Sequence, residues 1–495
     1  MYEACPGAAR RPVAGYARRA PEATPLYRIV QTHLPTMLAE ARAETAHGFG
    51  LPRFIEREFD GYLGCGILGR GFARVRCASC ADEVLVAFSC KGRGVCPSCT
   101  ARRMADTAAH LVDHVLPVAR YRQWVWTMPR AVRLWLARDG ARISRVHTLF
   151  LRAVFAWQRQ LAKRRGIAGR VHPGAVTFIQ RFGGQLNLNV HFHAVVPDGV
   201  FAEDSPGGRV SFHPLPGPRD EDGLAIAHRV VRRILAALER AADRDADTPP
   251  DDESAALDAV QAAAVETRSL LPATPSTAPL SFHRRSVAFD GFSLHAAVQI
   301  PAADRAGLER LCRYGARPAF ASERLTLTAA GQVSYRLKRP WPDRRTHLIL
   351  PPVAFRRRLA GILPPPRRHL LRYAGVFAPR AALRSRVVAL APAAATTTAS
   401  TAVLPPPHRQ PTRLPWADLL QRVFAVDVLA CPCGGRRRVL AFITDLDVAR
   451  SILTALGLPA TIPTFAPARG PPQQSFDDWL DPPAEAQADP DPDPP

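Results

Sequence analysis

The sequence predicts an α+β fold built from several modules, and three features carry that expectation. Residues 175–201, AVTFIQRFGGQLNLNVHFHAVVPDGVF, read as two strands meeting at Gly183-Gly184, a hairpin signal. Two Cys-x-x-Cys knuckles, Cys77/Cys80 and Cys96/Cys99, sit upstream of it. Stretches with apolar residues three or four apart alternate with stretches that alternate every second residue, so helices and strands are interleaved. The expected order is an N-terminal zinc-ribbon-like module, an antiparallel sheet with flanking helices, a small C-terminal α/β module, and disordered tails.

Bulk composition narrows the class. A chain of 495 residues can bury more than one core. Lys+Arg 66 against Asp+Glu 43 gives a net charge of +23, which favours a polyanionic partner, nucleic acid before a membrane surface. A GC-rich genome also raises arginine use, so charge alone does not decide this. No run of about 18 apolar residues exists, and the first residues lack the apolar core of a secretory signal. A cytoplasmic, nucleoid-associated protein is therefore expected, in which ten cysteines hold metal rather than disulfides.

Residues 1–24 read as a loose, disordered basic arm. Residues 25–120 form the expected helical and zinc-binding domain. Two amphipathic helices fill 26–60 and are read as plain support. The two knuckles then fit one tetrahedral zinc held by Cys77, Cys80, Cys96 and Cys99. Cys65 and Cys90 are left over, either as ligands of a second ion with His110 or His114 or as core thiols. Lys91, Arg93, Arg102 and Arg103 beside the knuckle suit phosphate contacts or a solvated basic face equally. Residues 100–117 read as an amphipathic helix.

Residues 121–240 open the expected sheet domain. QWVWTMP reads as a buried strand. The helix at 141–165 has an apolar stripe (Ile143, Val146, Phe150, Val154, Trp157) that core packing explains, and a basic end at Arg159–Arg165. On the second strand of the hairpin, alternate residues share a face, so His191 and His193 project together while Phe192 faces the core. Side-by-side imidazoles suit a divalent metal, though a solvated strand face with two histidines is the plainer alternative. With the turn at Gly183-Gly184, Gln180 pairs near Asn187 on the histidine face and is the candidate third donor. Asp198 is an alternative, with a turn role preferred. Residues 222–242 read as a helix.

Residues 241–281 are acidic, Ala/Thr/Pro-rich and weakly periodic, a linker insertion with at most one weak helix. Residues 282–387 are the expected second part of the catalytic domain. After alternating strands, LERLCRYGARPAFASERL begins as a helix, with Asp304 as its cap, and carries Tyr314 just before Gly315 and Pro318. Further on, Lys338, Arg339, Arg367, Arg368, His369 and Arg372 are interleaved with Trp341 and Tyr373, a pattern that suits single-stranded DNA. Residues 388–412 are a low-complexity linker. Residues 413–460 are the C-terminal module, where Cys431 and Cys433 form a short Cys-x-Cys read by default as a structural turn. Residues 461–495 are Pro- and Asp-rich and expected to be disordered.

A His-hydrophobic-His strand followed by a helix-borne tyrosine resembles the constellation of HUH nucleases. Five blocks extend the resemblance: FSCKGRGVCPSCTARRMADTAAHLVDHVLP, QRFGGQLNLNVHFHAVVPDGVF, CRYGARPAFASERL, LPPPRRHLLRYAGVFAP and DVLACPCGG. In this order they resemble rolling-circle insertion-sequence transposases of the IS91 type, across most of residues 50–460. The resemblance implies an HUH-type sheet, an N-terminal zinc-binding domain that contacts DNA, and a catalytic role for Tyr314, His191 and His193. It further implies a Mg²⁺ or Mn²⁺ ion on His191, His193 and a third donor, for which Gln180 is the candidate, and a 5′-phosphotyrosine intermediate in single-strand nicking and joining. Arg313 and Arg317 flank the nucleophile as phosphate-holding candidates or as ordinary ion-paired arginines. Some relatives carry a second tyrosine four residues away. Here those positions hold Arg310 and Pro318, so this is a single-tyrosine form. The chain has no phosphate-binding GxxxxGK[ST] loop, so host replication or helicase functions are expected to open the duplex. Two other readings stay open: a plasmid relaxase or replication initiator, and a zinc-bearing DNA-binding protein or decayed copy without catalysis.

Overall fold

An eight-stranded, wholly antiparallel sheet forms the centre of the molecule. Its strands run in the order Leu371–Gly375, Gly174–Phe182, Leu188–Pro197, Tyr121–Thr127, Phe292–His295, Ser286–Phe289 and Ser281–His283, with Gln299–Ile300 also paired to Tyr121–Thr127. The computed structural model describes residues 19–44, 48, 50–205, 207–245, 252–265, 281–283, 285–338, 340, 344–391, 415–424 and 427–468.

The two faces of this sheet take different partners because the side-chain period is two. On one face Trp124, Trp126, Phe192 and Ala194 pack against helices Gly140–Arg164 and Asp220–Asp245, through Val146, Phe150, Val154, Val230 and Ile234. Trp126 stacks on Phe150 with ring centroids 5.8 Å apart. Fully burying an aliphatic or aromatic side chain of this kind is worth about 1.5–3 kcal/mol, so this layer holds the sheet. On the other face Tyr121, Val176, Phe178 and Val195 meet helices Pro97–His114 and Arg305–Gly315 through Leu111, Leu308, Leu311 and Cys312. The predicted parity is therefore realised: Phe192 points into the first layer and the histidines into the second.

Asp198, weighed as a donor, is taken up elsewhere. Its carboxylate accepts from Arg122 Nε at 3.0 Å and Nη2 at 2.9 Å, and both side chains are buried. A buried, paired carboxylate of this kind is a structural element at the strand end.

Three expectations change. The insertion at 241–281 contains the helix Asp252–Val265, whose Ala256, Val260 and Ala264 enter the main core. It lies close to helix Pro352–Ile362, where a Cβ on Gly361 would come within 2.7 Å of Ala264 Cβ. An alanine-rich contact face allows that approach and also hides the helix from pattern reading, because small residues give little apolar contrast. The arm and tail boundaries shift as well. Arg19 donates to the Cys65 carbonyl at 3.2 Å, and Thr24 caps helix Pro25–Ala43. The tail residues Thr464 and Ala466 hydrogen-bond to Gln31 on that helix. Residues 1–18, 246–251, 266–280, 392–414 and 469–495, where the rest of the arm, linkers and tail were expected, lie outside the described residues, as do Arg339 and Trp341.

The N-terminal domain is closed by the far end of the chain. Strand Phe72–Cys77 pairs with Glu83–Ala87 on one side and with Arg437–Ile443 on the other. A separate three-stranded sheet, Leu325–Leu327, Val333–Arg336 and His347–Leu350, follows the tyrosine helix. Among the described residues no helix is long and apolar enough to cross a membrane.

Candidate active site and metal centres

The strand Leu188–Pro197 puts His191 and His193 on the face beneath the helix Arg305–Gly315. Their rings lie 4.8 Å apart, and the Tyr314 ring stands perpendicular to His193 at 5.5 Å. Two sequence features bring the tyrosine there. Asp304 caps the helix by accepting from Gly307 N–H at 2.7 Å. At the other end Gly315 lets the helix approach the sheet, since a Cβ there would lie 2.5 Å from the Phe178 ring. Phe178 pairs directly with His193 in the sheet, so this contact seats Tyr314 over the histidine pair.

Gln180 pairs with His191, not near Asn187 as the turn position suggests. The ladder is irregular between Gln180 and Phe182, and the connection spans Gly183 to Asn187, with Gly183 N–H bonded to the Asn187 carbonyl. That shift still leaves Gln180 on the histidine face. Its Nε2 donates to the carbonyls of Tyr314 at 3.0 Å and Gly315 at 2.9 Å, satisfying two acceptors at the helix end. Its Oε1 is buried and has no hydrogen-bond partner.

The imidazoles are held as neutral donors. Burial drives His191 down to about 4, aided by Arg317 and Arg133 and opposed by its hydrogen bond to Asn189. Burial, then His191 and Arg317, hold His193 well below the usual histidine range. His191 Nδ1 donates to the Asn189 carbonyl at 2.9 Å, which leaves the Nε2 lone pair free. His193 Nε2 is buried without a partner, and Gln123 Nε2 lies 2.9 Å from its Nδ1. Half a turn of the Gln123 amide puts its oxygen there, so that Nδ1 donates and Nε2 becomes a free donor to a metal. Orphaned buried atoms on His193 and Gln180 are costly unless something binds them. Two nitrogens and an amide oxygen around one face fit a divalent cation. Among the described residues no carboxylate or thiol joins the two imidazoles in a group of three.

Cations surround this centre. The Arg317 guanidinium lies 4.4 Å from the Tyr314 ring centroid, and Lys338 Nζ lies 5.7 Å from it. Arg313 is separated from this role by its ion pair with Glu309 at 2.6 Å. A groove of about 590 Å³ runs past Gln180 and Arg317. Arg93 and Arg103 from the N-terminal domain line it together with Arg367, Arg368 and His369. Of the other basic candidates, Lys91 offers its carbonyl to Arg103 at 2.7 Å, and neither Lys91 nor Arg102 lines the groove. The sequence reading missed Gln123 and the buried Arg181 in the groove wall; strand parity places Gln123 on the histidine face once Val125 is set opposite His193.

The cysteines group differently from the expected single site. Cys65, Cys90, Cys96 and Cys99 form one cluster and Cys77, Cys80, Cys431 and Cys433 another, with the sulfurs in each all within 4.8 Å of one another. The two knuckles thus serve separate centres. Cys65 ends helix Arg53–Gly64 and reaches Cys99 at 3.6 Å and Cys96 at 3.5 Å. Hydrogen bonds from Cys90, Cys96 and Cys99 hold the Cys65 thiol well below its ordinary range. His110 and His114 pair with each other, ring centroids 5.7 Å apart, and join neither cluster.

Comparison with known families fits this arrangement. Residues 29–128 match the family described as "Transposase zinc-binding domain", of the IS91 type, and this range contains the whole first cysteine cluster. Residues 174–385 match the family described as "Putative transposase", a range that contains His191, His193 and Tyr314. No curated protein and no solved structure matches the chain. The first cluster, inside a zinc-binding domain, is accordingly a structural zinc centre, and the enzyme acts on DNA. The chain belongs to the IS91-type transposases.

Proposed function

We propose that this transposase is an HUH-type enzyme that nicks and rejoins single-stranded DNA through Tyr314. The observation that carries the reading is the meeting of Tyr314 with His193 and with Gln180, the latter 134 residues away in sequence, over a set of neutral, unsatisfied donors.

The Tyr314 hydroxyl attacks the scissile phosphorus in line. A bond forms between the phenolic oxygen and phosphorus, the P–O3′ bond breaks, and the proton that the phenol gives up is balanced by the one the departing 3′ oxygen takes to become a hydroxyl. A second 3′-hydroxyl later attacks the phosphotyrosine and restores the phenol, so strand joining needs no nucleoside triphosphate. His191, His193 and Gln180 would hold a Mg²⁺ or Mn²⁺ ion, which would supply Lewis-acid stabilisation of the charge on the scissile phosphate. Arg317 puts a positive charge beside the attacking ring, where phosphate charge builds in the transition state. Arg93, Arg103, Arg367 and Arg368 position the strand's phosphates without reading bases. Because the groove draws on both matched regions, a bound strand contacts the zinc-binding domain and the catalytic sheet at once. Host replication or helicase functions supply the single strand.

The test is a denaturing-gel assay on single-stranded DNA carrying the element's end, with Mn²⁺ or Mg²⁺. The wild type yields a covalent protein–DNA adduct, and Tyr314→Phe and His191→Ala yield none. An adduct that survives in Tyr314→Phe assigns the nucleophile to another tyrosine. Binding without an adduct in any form refutes the catalytic reading.

A further inference from the structure

We propose that Cys77, Cys80, Cys431 and Cys433 bind a second zinc ion, and that this ion clasps the C-terminal module onto the N-terminal hairpin. The matched zinc-binding domain ends at residue 128 and so does not assign this site.

The four sulfurs have the spacing of one tetrahedral centre. Cys77 Sγ lies 3.6 Å from Cys433 Sγ, and Cys80 Sγ lies 3.5 Å from Cys431 Sγ. A disulfide would bring sulfurs to about 2.05 Å. Four thiolates about 2.3 Å from a zinc ion stand roughly 3.8 Å apart, close to what is seen. Four sulfur donors select zinc over hard cations. Asp82, whose carboxylate lies 3.8 Å from Cys431 Sγ, is ion-paired to Arg437 at 2.5 Å.

The backbone is shaped for this cluster. Ser79 N–H donates to Cys77 Sγ at 3.4 Å, an amide turned toward a sulfur. On the other side the one-residue Cys431-x-Cys433 spacing is closed by a tight turn. Gly434 takes φ +82°, its N–H bonds to the Cys431 carbonyl at 3.0 Å, and Cys431 N–H bonds to the Gly435 carbonyl at 3.0 Å. A Cβ on Gly435 would lie 2.6 Å from Ser79 Oγ and 3.0 Å from Cys77 Sγ, so glycine lets the halves meet without displacing either side chain. Strand pairing fixes the register, with Cys77 opposite Arg437 and Phe72 opposite Ile443.

Among the described residues the apolar contacts beneath this junction are few. Leu68, Phe72, Ala449 and Leu453 make up its buried cluster, while Val439, Leu440 and Phe442 of the same strand are exposed. Modules with so little core are commonly stapled by a structural metal.

Elemental analysis of the purified full chain tests this. The wild type carries two zinc equivalents. Cys77→Ser/Cys80→Ser and Cys431→Ser/Cys433→Ser each lose one, and combining all four substitutions loses no more. One equivalent in the wild type overturns the proposal, as do losses that add when the pairs are combined, because the pairs would then serve different ions. Iron in place of zinc overturns the metal assignment. Should a serine variant fail to fold, zinc-edge X-ray absorption on the wild type decides. Two equivalents with four sulfurs at about 2.3 Å support the clasp, and a share of nitrogen or oxygen donors refutes it.

Discussion

The imidazole–amide centre and the cysteine clusters are both sets of donors, and they are built in opposite ways. Each cluster closes on itself, with four sulfurs and no position left over. The sheet centre offers two imidazoles and one amide oxygen beside an open groove, and Arg317 and Lys338 flank its tyrosine. A closed set holds a fold together, whereas an open one leaves room for substrate on the ion. The difference also shows in the support. The clusters hang on loops, turns and the ends of helices and of one strand, while the histidines sit in the interior of an antiparallel sheet, where ladder bonds fix them.

Cross-comparing the two kinds of site gives the largest expected effect. His193→Ala should lower cleavage by about a thousandfold, several kcal/mol of transition-state stabilisation, with zinc content and melting temperature nearly unchanged. Cys65→Ser should do the reverse first, losing one zinc equivalent and lowering the melting temperature before any effect on chemistry can be read. Zinc analysis, thermal melting and the adduct assay on the same preparations check both, and a shared pattern would dissolve the distinction.

Gly315→Ala sharpens it from the tyrosine side. The new Cβ meets Phe178, so we expect a stability loss of about 1–3 kcal/mol. On the proposed mechanism, displacing Tyr314 costs up to about a hundredfold in cleavage, and single-turnover assays alongside denaturant melts read both terms. Gln123→Leu removes the orienting group on His193 and should weaken catalytic-metal affinity by about tenfold, measured as the Mn²⁺ concentration for half-maximal adduct formation.

The smallest effect concerns acid sensitivity of the sheet's other face. His147 is buried against Phe192, and burial pushes it down to about 3. Its folded-state value is depressed, so the unfolded chain takes up the proton first. Stability is intact above the ordinary value near 6.5 and falls as pH drops from there toward 3. The slope from this one group is at most about 1.4 kcal/mol per pH unit. Replacing it, His147→Leu, should flatten melting temperature against pH over that window while leaving the cysteine clusters' zinc content unchanged.

Much of the sheet centre was legible because it follows from local rules. Period-two parity put His191 and His193 on one face, helical spacing buried Leu308, Leu311 and Cys312, and Asp304 reads as a cap. The Gln180 register was not legible, because an irregularity between Gln180 and Phe182 moves the ladder without altering any residue type. The cysteine grouping was hidden for a different reason. Spacing reveals which cysteines form a knuckle, but which knuckles share an ion depends on strands brought together from opposite ends of the chain. The helix Asp252–Val265 was anticipated only as a weak helix within a linker, since alanines pack by closeness rather than by size.

The pairing of Phe72–Cys77 with Arg437–Ile443 also has a meaning in time. Cys77 and Cys433 are separated by 356 residues. At typical synthesis rates of about 5–20 residues per second, roughly 20–70 s pass between their emergence. Throughout that interval the N-terminal hairpin has an uncapped edge strand, the kind of surface on which chains associate wrongly. The strand Arg437–Ile443 therefore seals a hairpin made long before it, and the sheet of the N-terminal domain is complete only once that strand has been synthesised.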